Sequence, residues 1–106
     1  PAPGLVPAPG SPERPVSQRA TVNATVVNRL GLHARPAMTF VDLANTFQSA
    51  VTVRRADTEV DGKSIMQMMM LAASQGSELE ITCEGDDADA AAKALKELVD
   101  GGFEEE

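Results

Sequence analysis

The chain holds a single cysteine, Cys83, and a single histidine, His33, in 106 residues. One cysteine excludes an intrachain disulfide, and the two residues lie too far apart to supply the clustered ligands of a metal site, so neither a metal nor a cofactor is expected. Tryptophan and tyrosine are absent and phenylalanine occurs three times, which leaves the core to Val, Leu, Ile, Met and Ala. Nine basic residues stand against sixteen acidic ones, a formal net charge of -7. The electrostatic attraction that drives most nucleic-acid binding therefore has the wrong sign, and no nucleic-acid partner is expected. No apolar run approaches the roughly 18 residues of a membrane span, and no basic segment followed by an apolar run opens the chain. Together with the lone cysteine, this places the protein in a reducing cytoplasm, away from the membrane.

What is present divides the chain in two. Residues 1–20 hold six of the seven prolines and no apolar periodicity, which predicts a flexible extension, with the folded domain over 21–106. Within the domain, Val22, Ala24 and Val26 alternate with polar residues as in a strand with one buried face. Ala37, Phe40, Val41 and Ala44 follow at helical spacing, predicting a first helix to about Phe47. Val51 and Val53, then Thr58 to Val60, read as a hairpin broken at Ala56 and Asp57. Lys63 to Ala73 reads as a short second helix with Ser64 as N-cap, and Leu79, Ile81 and Cys83 mark a last strand. Asp86, Asp87 and Asp89 open a third helix that presents Ala88, Ala92, Leu95 and Val99 on one face and stops at Gly101 and Gly102. The order βαββαβα predicts an α+β fold, a largely antiparallel sheet with helices on one face and water on the other.

Chemistry concentrates in Gly31-Leu32-His33-Ala34-Arg35-Pro36-Ala37, between the first strand and the first helix. With His33 at the N-cap, the backbone N–H groups of Ala34 and Arg35 lack intrahelical partners at the positive end of the helix dipole, where an anion is favoured. Pro36 in the first turn sacrifices no hydrogen bond and stiffens the site, while Gly31 lets the chain bend. Arg35 adds a planar donor fork suited to phosphate oxygens. Because histidine titrates near neutrality, a neutral ring nitrogen is available to attack a phosphoryl group. A lone histidine near a helix start is ordinarily a cap or a surface residue, and it is the surrounding residues that raise His33 above that reading.

Three blocks carry a resemblance to a known family. Asn28 to Ala37 resembles the active-site signature of the HPr phosphocarriers of the bacterial phosphoenolpyruvate-dependent phosphotransferase system. Asp61-Gly62-Lys63-Ser64-Ile65-Met66 resembles that family's regulatory serine segment, and Gly76 to Ile81 with Gly85 its last strand and turn. The resemblance implies an open-faced β-sandwich, a four-stranded antiparallel sheet covered on one face by three helices. It also implies a monomer that takes phosphate on Nδ1 of His33 from phosphorylated enzyme I and passes it to an enzyme IIA-type domain. Arg35 and Ala34 would bind the phosphate. Ser64 would be the target of an HPr kinase/phosphorylase, and Met38, Ile65, Met66 and Met69 would form the apolar docking patch. The chain departs from many sugar-pathway members at Leu30, where they carry a small polar residue three positions before the histidine. A nitrogen-related or regulatory branch thus stays open.

Each assignment has an ordinary counterpart. A serine at a helix start is commonly a cap, methionines at helical spacing are commonly core, and Cys83 alternates with Ile81 as a core residue would. Met66 and Met68 to Met70 cannot share one side of a helix, so some must face water. Besides the carrier, a regulatory module switched by Ser64 phosphorylation remains open, and it requires that His33→Ala leave the biological output intact. A free-standing hydrolase is disfavoured by the lack of paired carboxylates and of a ligand set.

Overall fold

In a computed structural model of the chain, which describes residues 18–104, the elements follow the expected order. They are β1 (Gln18–Thr25), α1 (Ala34–Ala44), β2 (Ala50–Arg55), β3 (Thr58–Asp61), α2 (Ile65–Met70), β4 (Glu78–Gly85) and α3 (Ala88–Asp100), closed by a 3-10 turn at Gly102–Glu104. The four strands form one antiparallel sheet in the order β1-β4-β2-β3. Register follows the alternation in the sequence. Ala24, Val51, Val53, Leu79, Ile81 and Cys83 point into the core, while Thr21, Arg54 and Glu84 line the open face. The helices cover the inner face, with Ala37, Phe40 and Ala44 from α1, Met68 from α2, and Leu95 and Val99 from α3 all fully buried. The expected open-faced sandwich is thus the fold observed. No helix among the described residues is long and apolar enough to cross a membrane.

Several boundaries differ from expectation. The extension predicted over 1–20 falls largely outside the described residues, but its last three residues belong to β1, where Gln18, Arg19 and Ala20 pair with Gly85, Glu84 and Cys83. Gln18 and Arg19 are both exposed, so the strand begins in backbone pairing that no apolar alternation announces. Helix α1 ends at Ala44 rather than near Phe47. Asn45 stops it by donating both its backbone N–H and its side-chain amide to the Val41 carbonyl, at 2.9 and 3.0 Å. Helix α2 is only six residues long. Before it, the Lys63 N–H turns to the Asp61 carboxylate at 2.9 Å. After it, Ala72 enters the left-handed region at φ 50°, which ends the helix.

Asp87, at the N-cap of α3, does not cap its own helix with its side chain. Its carboxylate reaches back to the loop after α1, accepting from the Gln48 and Ser49 N–H groups at 2.9 Å each and from the Ser49 hydroxyl. Those bonds, the hydroxyl's first, hold the carboxyl below the usual aspartate range. The folded value lies below the unfolded one. Its stabilisation is therefore present above the unfolded carboxylate range, about 4, and is lost as pH falls through the depressed value. Asp87→Ala is expected to melt at a lower temperature than the wild type at pH 7. The gap should close as melts are repeated from pH 5 down to about 2, and a gap that stays constant would show that the charge is not involved. Cys83 is fully buried, and burial, with the Asp87 charge adding to it, pushes its thiol up to about 11, so it remains a protonated core residue near neutrality.

Candidate functional site

The turn into α1 is built from backbone bonds that the local sequence makes possible. The Gly31 N–H donates to the Asn28 carbonyl at 3.1 Å, and the Asn28 side-chain amide donates to the Gly31 carbonyl at 2.7 Å, closing a reciprocal loop. Gly31 adopts φ 72°, a conformation that a side chain resists. Leu32, buried, donates its N–H to the Ala73 carbonyl at 2.8 Å, which ties the turn to the segment leaving α2. His33 then takes the N-cap of α1 with extended backbone angles, its carbonyl accepting from the Ala37 N–H at 3.0 Å.

His33 holds the N-cap position, and the first N–H groups of α1, on Ala34 and Arg35, have no intrahelical partner. Ala34 and Arg35 are exposed in the first turn, and Pro36 is buried at the third helical position, where its missing N–H costs nothing. That turn contains no acidic residue, in a chain whose net charge is -7. The local field at His33 therefore favours an anion although the molecule as a whole repels one. His33 is half-buried, with its Nε2 atom turned inward. Leu30 is exposed and carries no hydroxyl to offer a phosphate.

The remaining predicted residues lie on α1 and at α2. Helix α1 packs against α2, and Met38, Ile65, Met66 and Met69 are all exposed. Ser64 is the N-cap of α2, its hydroxyl accepting from the Gln67 N–H at 3.2 Å. A depression of about 740 Å³ lies over the β2–β3 hairpin, lined by Thr52, Asp61 and Lys63 among others, and His33 is not part of it. Two contributors were not singled out from sequence. Asn28 and the Ala73 carbonyl place the turn before His33; an Asn ahead of a turn glycine is a legible signal, whereas a carbonyl supplied across the fold is not. Met70 and Leu30 are exposed apolar residues outside the predicted patch.

The family described as "PTS HPr component phosphorylation site" matches residues 20–100 of this chain. The phosphocarrier protein HPr of Neisseria meningitidis is 45% identical over 80 residues, 76% of this chain and 90% of that protein. The phosphocarrier protein NPr of Proteus mirabilis is 45% identical over 82 residues, 76% of this chain and 91% of that one. Among solved structures, HPr-C-His from Thermoanaerobacter tengcongensis superposes with a TM-score of 0.78 at 42% identity, covering 82% of this chain and 98% of its own. The family match over residues 20–100, with these identities and this fold, shows that the chain belongs to the HPr phosphocarriers of the phosphotransferase system, a family of phosphoryl carriers rather than catalysts.

Proposed function

We propose that His33 receives the phosphoryl group from phosphorylated enzyme I and passes it to an enzyme IIA-type domain. The observation that carries this reading is the position of His33 at the N-cap of α1, beside a first turn that holds no acidic residue. In the transfer, a ring nitrogen of His33 attacks phosphorus, the bond to the donor breaks, and the electron pair returns to the donor. The inward turn of Nε2 favours Nδ1 as the attacking atom. The N–H groups of Ala34 and Arg35 and the Arg35 guanidinium would hold the phosphate oxygens. All these groups lie in α1, which supports a carrier that acts as a monomer. Incubation with enzyme I and phosphoenolpyruvate, followed by mapping of the modified residue, tests the reading; a phosphate found elsewhere than on His33 would reject it.

We further propose Ser64 as the target of an HPr kinase/phosphorylase, supported by its place beside exposed Ile65 and Met66. A phosphoserine there would set about -1.5 to -2 charges next to an apolar docking surface and oppose partner binding without unfolding the domain. Ser64→Ala is expected to lose the kinase-dependent label entirely. It should also lose about 1 kcal/mol of stability from the missing cap, read as a lower denaturation midpoint in urea.

A further inference from the structure

Of the chain's five methionines, Met68 alone is fully buried; Met66 is 81% exposed, Met70 69%, Met38 49% and Met69 43%. Methionine and leucine have nearly equal helix propensities, so helix formation does not explain this choice on the outside of α1 and α2. What distinguishes methionine there is its thioether, which is adaptable in contact and oxidisable in water. The remaining sulfur, on Cys83, is fully buried. An oxidant approaching the folded protein therefore meets the four thioethers on the α1–α2 surface first.

We propose that Met38, Met66, Met69 and Met70 form a reversible oxidation site through which peroxide weakens docking of phosphotransfer partners. The inference rests on the reading that this surface receives those partners. Chemically, a sulfur lone pair attacks one oxygen of hydrogen peroxide, the O–O bond breaks, and the departing hydroxide takes the proton. One sulfoxide and one water result, the sulfur being oxidised and the peroxide reduced. A sulfoxide is polar and chiral, so the surface loses its apolar character. Met68, which fills the core, stays reduced and the fold persists.

The test treats the full chain with hydrogen peroxide and follows each methionine by peptide mass spectrometry. Met66 and Met70 should oxidise first, Met38 and Met69 next, and Met68 only after denaturant is added; uniform oxidation at all five sites would overturn the proposal. Transfer from enzyme I is then measured before and after treatment. KM is expected to rise about fivefold with kcat within about twofold, and methionine sulfoxide reductase should reverse the change. A variant with all four residues replaced by leucine, whatever its own KM, should show none of this response. Oxidised protein that transfers as well as the untreated protein would overturn the inference and leave the carrier reading intact. Untreated protein that accepts no phosphate would instead overturn the carrier reading.

Discussion

His33→Ala is expected to abolish phosphoryl transfer from enzyme I, with labelling at least about a thousandfold below the wild type, because no other side chain in the chain offers an imidazole. Wild-type protein should gain one phosphate that is labile in acid and stable in base, as expected for a phosphorylated ring nitrogen. A thermal melt of the variant separates lost chemistry from lost fold. The backbone bond at this position, the carbonyl that accepts from the Ala37 N–H, survives in alanine. The variant should therefore melt within a few degrees of the wild type. Label persisting in His33→Ala at wild-type level would remove His33 from the mechanism. The same variant separates the carrier from the regulatory module, since a module switched through Ser64 would keep its output without His33.

Much of this was readable from residues whose behaviour is local. The period-two runs through Ala24, Val53 and Ile81 and the helical spacing of Phe40, Leu95 and Val99 assign the core correctly because burial on one face is what these patterns encode. His33 at a helix start is equally local, since Gly31 and Pro36 announce the bend and the first turn. What escaped depends on contacts between distant segments. The true start of β1 is set by Gly85, Glu84 and Cys83 across the sheet. The acidic cluster before α3 suggests a helix-dipole role, yet Asp87 spends its carboxylate on Gln48 and Ser49, almost forty positions earlier. Helix α2 falls short of its apolar run because Ala72 turns left-handed, and that turn is what presents the Ala73 carbonyl to Leu32. The exposure of Met66, Met69 and Met70 follows from the run itself, for a six-residue helix can bury only one narrow face and Met68 takes it.

Gly31→Ala is expected to produce the largest loss of stability, about 2 to 4 kcal/mol, a fall of roughly 10 to 20 °C in melting temperature. Two costs combine at this position. The residue sits at φ 72°, where a side chain is strained by about 1 kcal/mol or more. An added Cβ would also stand 2.5 Å from the Ala73 carbonyl oxygen and 2.9 Å from the Ser74 Cα, both backbone atoms that cannot rotate aside. The carbonyl under pressure is the one that accepts from the Leu32 N–H, so relief of the clash lengthens the bond that anchors the residue before His33. Function should suffer beyond the loss of folded protein: at a temperature where the variant is still folded, kcat for phosphate uptake falls, because the imidazole no longer sits squarely over the start of α1. Gly76→Ala provides the control, since Gly76 also has a positive φ, 93°, but an added Cβ there meets nothing within 4 Å. That variant should pay the backbone strain alone and keep its rate of uptake. If Gly31→Ala lowered stability no more than Gly76→Ala and left uptake unchanged, the close approach of the turn to the segment after α2 would not be what positions the histidine.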